Sequence, residues 1–181
     1  MKKTVITFGL ISGAISLPLM VGNTLIADKI GFDKAEYLGY SILILSFLMV
    51  FFGIRSYRDI VGEGQITFVR GFVVGIAITL VASVCYVVIW ELLYFNSSAL
   101  HGFMDKYAAY TIEKLKASGA SAAAVQTKIQ DMRKLKVLYE KPLFNALFTF
   151  IEPFPVGLVI TVISAAILRR KRQPAGAAMP A

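Results

Sequence analysis

Residues 68–95 read FVRGFVVGIAITLVASVCYVVIWELLYF, a run in which Arg70 and Glu91 carry the only charges. A helix that crosses about 30 Å of hydrocarbon needs about 20 mainly apolar residues at a rise of about 1.5 Å each. This stretch is long enough to span a bilayer, and three others resemble it: residues 4–26, 37–54 and 143–168. The chain has 181 residues, 57% hydrophobic and 17% charged, with a mean hydropathy of +0.69. Ordinary soluble domains are about 45–50% apolar and about 25% charged. Backbone groups in lipid must bond within their own segment, so the spans are expected to be helical. The pattern predicts an all-α membrane protein with four transmembrane helices. An amphipathic helical hairpin between the third and fourth is expected to be extracytoplasmic. Residues 1–172 form one membrane domain in this reading, and residues 173–181, QPAGAAMPA, a disordered tail.

Met1-Lys2-Lys3 before an apolar run also opens secretory signal peptides. Here the run exceeds a signal core, and Leu25 stands where a small residue should precede Ala27. A retained helix is expected.

The net charge is +8, from 19 Lys+Arg against 11 Asp+Glu. The bases lie at the ends of apolar runs, where they act as orientation and membrane-surface signals rather than as a nucleic-acid footprint. With the N-terminus inside, Lys2, Lys3, Arg55, Arg58, Arg70, Arg169, Arg170, Lys171 and Arg172 fall inside, which is nine of the 19. The remaining ten fall outside, so raw counting does not decide. The short first loop offsets Lys29 and Lys34 with Asp28, Asp33 and Glu36, whereas Arg55/Arg58 and RRKR sit directly at helix ends. Both termini are therefore expected on the cytoplasmic side of a bacterial inner membrane.

Between the third and fourth spans, Phe103, Tyr107, Thr111 and Leu115 recur every four residues, and Val125, Ile129, Met132 and Leu135 share a second face. Gly119 turns the pair and Ser121 caps the second helix. This hairpin is expected to pack on its own stripe, on lipid headgroups or on a partner.

The connection SYRDIVGEGQITF, residues 56–68, lacks the strand, glycine spacing and Lys-Ser/Thr of a phosphate loop. It reads as a turn. Gly62 and Gly64 are expected to supply positive φ and Thr67 to cap the next helix. Arg55, Arg58 and Arg70 are placed to meet anionic headgroups, and Arg58–Asp59 reads as a solvated pair.

The run SYRDIVGEGQITFVRGFVVGIAITLVASVCYVVIW resembles the central signature of a bacterial integral-membrane family known only as a domain of unknown function, number 4199. IEPFPVGLVITVISAAILRRK resembles that family's closing helix. The family-like positions are Tyr57, Arg58, Asp59, Gly64, Thr67 and Phe68, then Glu152, Pro155 and Gly157. Gly62-Glu63-Gly64 departs from the family's glycine pair. The resemblance implies a four-helix inner-membrane protein and brings no activity, cofactor or catalytic residue.

Gly71, Gly75, Thr79 and Ser83 recur every four residues, as do Gly9 and Gly13 in the first span. Small residues at that spacing let helix backbones approach closely, within one bundle or between copies. Glu91 and Glu152 are costly groups for a span. Counted from the inner ends they stand about 30 Å and about 24 Å up their helices, at similar height. They are candidates for a paired proton or cation site, with Asn23 and Pro18 adding a polar lining. Pro153 and Pro155 should kink the last helix. The one cysteine, Cys85, and the one histidine, His101, leave no disulfide, and no cofactor or metal centre is expected. The expected function is a non-enzymatic membrane component whose partners are membrane lipids, a second copy of itself or another membrane protein. The alternative is a small transporter or channel subunit using Glu91 and Glu152. A membrane enzyme ranks last, because no nucleophile–base spacing supports it.

Overall fold

The structure, a computed structural model, describes residues 1–97, 100 and 102–170. His101, the Lys171-Arg172 pair and the expected disordered tail lie outside them. Seven helices follow in order: α1 Lys2–Ile30, α2 Phe32–Ile60, α3 Phe68–Asn96, α4 Phe103–Ala117, α5 Ala122–Tyr139, α6 Pro142–Ile151 and α7 Pro153–Leu168. Four bodies are long and apolar enough to cross a membrane: α1, α2, α3, and α6 with α7 together. Each of the first three has 29 residues, about 43 Å at about 1.5 Å per residue, so their ends overrun the hydrocarbon.

That overrun corrects the expected boundaries. Residues 27–36, read as a loop, are helical on both sides of Gly31, which alone joins α1 to α2 at φ 89° and ψ 138°. Hydropathy marks where lipid ends. The polar residues beyond, Asp28, Lys29, Asp33 and Glu36, carry the helix on through the headgroup region, and Gly31 takes the reversal without a Cβ.

The four bodies form a ring in which α1 packs on α2 and α3, and α7 on α2 and α3, with α2 and α3 also touching across the middle. Val50, Ile54, Val74 and Ile78 at its centre are fully buried. Close approach rests on the predicted small residues. A Cβ at Gly9 would lie 2.6 Å from the Val81 side chain and one at Gly13 2.8 Å from Cys85, which defines the α1–α3 seam. On the α3–α7 seam, a Cβ at Gly75 would lie 2.7 Å from Thr161 and one at Gly157 2.5 Å from Thr79, while Gly71 faces Ala165. The Thr79 hydroxyl donates to the Gly157 carbonyl at 3.3 Å and lies 3.0 Å from the Thr161 hydroxyl. Ser12 donates to the Ser46 carbonyl at 2.9 Å, whereas the buried Ser83 hydroxyl has no partner. These stripes hold the chain to itself, as small residues do where apolar lipid supplies no hydrophobic drive. Leu45, Val84, Val88, Val159 and Ile163 face outward, as lipid-facing residues should.

One end of the bundle carries the α2–α3 turn. Thr67 caps α3 by accepting from the Arg70 amide, and Ile66 and Arg170 exchange backbone hydrogen bonds of 3.2 and 2.9 Å. Positive φ falls on Glu63 (51°) and Gly64 (82°), which corrects the expectation for Gly62. Gly62 is instead needed for closeness, because a Cβ there would collide with the Gln65 carbonyl. Arg58 pairs with Asp59 at 2.7 Å, and Arg70 donates to the Tyr57 hydroxyl at 2.8 Å. This cluster is a clasp between α2 and α3.

The other end carries the α4–α5 hairpin, turned at Gly119 (φ 78°), with Ser121 capping α5 through the Ala124 amide. Its apolar stripe packs back on the bundle. The Phe32 ring meets Phe103, Tyr107 and Tyr110 within 5.2–6.1 Å. Lys106–Asp28 at 2.8 Å and Lys114–Asp33 at 2.6 Å tie α4 to the α1–α2 end, and Lys136–Asp105 at 2.6 Å ties the hairpin to itself.

Candidate functional site

The last span is not one straight rod. Pro153 and Pro155 remove two backbone donors, and helix α6 gives way to α7 at Glu152. Below the break α7 packs on α2 and α3. Above it α6 packs on α3 and α5. Asn145, fully buried, fixes that course by donating to the Tyr139 carbonyl at 3.0 Å and accepting from Thr149 at 3.1 Å.

A cavity of about 710 Å³ lies between α1, α2, α3 and the α6–α7 body, beneath the hairpin. Met20, Asn23 and Ala27 of α1 line it, with Glu36, Tyr40 and Leu43 of α2 and Tyr86 and Trp90 of α3. Phe103, Tyr107, Tyr110 and Lys114 roof it, while Phe148, Glu152 and Pro155 form the far wall. Gly39 also borders the space and keeps it open, having no side chain to fill it. The volume falls within the range of about 300–1,000 Å³ typical of small-molecule sites, which are mostly apolar with a few placed polar groups.

The charged groups among the lining residues are Asp33, Glu36, Glu152 and Lys114. The Tyr86 hydroxyl donates to Glu152 Oε2 at 3.2 Å. Glu152 is exposed because it borders the cavity, although protein surrounds it. Glu36, on α2, borders the same cavity. Asp33, at the roof, is engaged by Lys114, and that contact holds the Lys114 ammonium above the ordinary lysine range. Burial pushes the Tyr139 phenol up to about 12, and Thr149 and Trp90 beside it act in the opposite direction. Among the described residues, Asn23 Oδ1 and Glu91 Oε1 in or near this end lack hydrogen-bond partners. A buried polar group left unsatisfied costs about 1–3 kcal/mol.

The structure does not bring Glu91 and Glu152 together at the cavity: Glu152 borders it, whereas Glu91 follows Trp90, sits about 100° further round α3 and is off the cavity wall. Asn23 does join the site, its Nδ2 donating to the Ala35 carbonyl at 2.8 Å. The turn residues Tyr57, Arg58, Asp59, Gly64 and Thr67 lie at the opposite end of the bundle. Sequence reasoning missed Glu36, Tyr86 and Trp90. Their signal was present as Phe32, Glu36, Tyr40 and Leu43 at helical spacing on α2, and Tyr86 with Trp90 four apart on α3.

No match was found among curated proteins, nor among solved structures. The model of a family described as a protein of unknown function (DUF4199) matches residues 7–170, a stretch that takes in all four apolar bodies, the turn clasp and the cavity. The chain belongs to the DUF4199 family.

Proposed function

We propose that this is a non-enzymatic, multi-pass protein of a bacterial inner membrane that binds a small amphiphile in the cavity beneath the hairpin. Both termini are cytoplasmic in this reading and the hairpin is extracytoplasmic. The compact arginines at the turn end, Arg55, Arg58, Arg70, Arg169 and Arg170, support that orientation. The observation that carries the binding role is the cavity itself: about 710 Å³, lined largely by aromatic and apolar side chains with a few charged groups among them.

Native mass spectrometry from nanodiscs tests it, with Gly39 as the handle. A Cβ at Gly39 would meet Asn23 at an ordinary 3.4 Å, so Gly39→Ala is tolerated, while Gly39→Phe fills the space. Wild type and Gly39→Ala should retain a small-molecule adduct that Gly39→Phe loses. Identical spectra for all three would contradict the proposal.

A second reading, transport through the same cavity, draws support from a carboxylate at a broken helix, an arrangement used for ions in transporters. Glu36 then replaces Glu91 as the partner of Glu152. Glu152→Gln should abolish flux in liposomes, and no flux above empty vesicles would count against it.

A further inference from the structure

The cavity wall carries information about the head group of its occupant, an inference that rests on the binding role proposed above. Its charged groups are mainly acidic: Asp33, Glu36 and Glu152 against Lys114. Asp33 is engaged by Lys114 at 2.6 Å, but Glu36 has no ion pair among the described residues, and Glu152 receives the Tyr86 hydroxyl. Asn23 Oδ1 is buried without a donor, and the amide is fixed in that sense because its Nδ2 donates to the Ala35 carbonyl. Trp90, 6% exposed, lines the same space. Two carboxylates and an orphan oxygen around one low-dielectric space repel an anion and attract a cation. Tyr40, Tyr86, Trp90 and Tyr107 line the same space, and aromatic rings are the side chains that hold a cation against a π face.

The mouth identifies the source. Tyr40 is 45% exposed, Phe148 50% and Ile151 66%, and all three border the cavity while standing on spanning helices. The opening between α2 and α6 therefore faces lipid, near the headgroup level. At the hairpin edge, Lys114 and Asp33 also border the cavity with exposed side chains, and an ion pair of 2.6 Å joins them across it.

We infer that the cavity takes a bilayer-dissolved amphiphile with a positively charged nitrogen head. The head sits between Glu36 and Glu152, and the tail leaves through the gap between α2 and α6. An anionic amphiphile of the same tail is disfavoured by both carboxylates.

Trp90 is the chain's one tryptophan, so its emission reports this cavity alone. The full-length protein in nanodiscs of neutral lipid is titrated with three probes that share a bromododecyl tail and differ in head: trimethylammonium, sulfate and hydroxyl. Bromine quenches the indole on contact. The ammonium probe should quench at about tenfold lower mole fraction than the sulfate probe. Glu36→Gln combined with Glu152→Gln should remove most of that preference and leave quenching by the hydroxyl probe unchanged, which also reports that the variant cavity is intact. Equal quenching by all three probes would overturn the cationic head group while leaving the binding role standing. Failure of all three would overturn both. An ammonium preference that survives in the double variant would overturn the assignment to these two carboxylates.

Discussion

Gly157 tests whether the bundle is held by backbone contact or by tolerant hydrophobic filling. A methyl group there would lie 2.5 Å from the Thr79 methyl and 2.7 Å from the Phe47 ring. Neither neighbour can retreat, since Thr79 is 0% and Phe47 2% exposed. Reaching ordinary contact therefore requires α7 to move about 1 Å from α2 and α3, and overpacking of this kind costs about 1–3 kcal/mol. The move also lengthens the already long Thr79–Gly157 hydrogen bond. Against this, any helical glycine gains about 0.5–1 kcal/mol on becoming alanine. Gly22, on α1, isolates that gain because a Cβ there meets nothing within 4 Å. Gly22→Ala should stabilise, Gly157→Ala should destabilise, and the two should differ by about 1–3 kcal/mol. Reversible unfolding in mixed micelles or steric trapping in bicelles measures both. Equal stabilities for the two variants would refute the reasoning, since the close α3–α7 approach would then carry no energetic weight.

Asn145→Ala should cost about 1–3 kcal/mol by leaving the Tyr139 carbonyl buried without its donor, and amide exchange should rise first in α6 and the end of α5. Uniform loss of protection across all helices would contradict this. Gly119→Ala places an L side chain at φ 78° and should cost about 1–2 kcal/mol, seen as faster proteolysis at the hairpin tip with the spans unaffected. Salt bridges to the hairpin set a pH dependence of definite sign. The Lys114 and Lys136 ammonium groups are held above their ordinary 10.5 by Asp33 and Asp105. Their contribution is complete below that ordinary value and is lost as pH rises through the raised values. Asp33, held below the usual carboxylate range by Lys114, loses the same contact in acid. Spin-label distances between α4 and α2 should therefore hold through neutral pH and broaden in strong alkali or strong acid, and broadening between pH 6 and 8 would contradict the assignment.

Much of this architecture was legible because lipid imposes a strict code. Charge-poor runs had to be helices, and Gly119, Ser121 and Thr67 carried turn and cap chemistry that does not depend on distant contacts. The single-residue turn at Gly31 was hidden because Asp28 to Glu36 looks like a loop to any measure of hydropathy, although acids and lysines extend helices well in water. The site was less legible for a different reason. Residue height along a helix follows from counting, but which neighbour a side chain faces depends on how each helix is rotated. Glu91 and Glu36 exchange roles on that account: one lies off the wall, and the other lines the cavity from a stretch read as a short loop. The Pro153–Pro155 break was visible in sequence, yet the course of α6 above it depends on α6 being held by Asn145 against α5.

Depth-resolved quenching of Trp90 bears most directly on the whole account, because this residue joins the third membrane-spanning helix to the cavity. It lies 22 positions beyond Phe68, about 33 Å along α3, so it belongs near the far edge of the hydrocarbon. Lipids brominated close to the headgroup should quench it strongly, those brominated near the chain end weakly, and aqueous iodide hardly at all. Strong quenching by iodide with none from any brominated lipid would contradict both the span and the lipid-facing cavity.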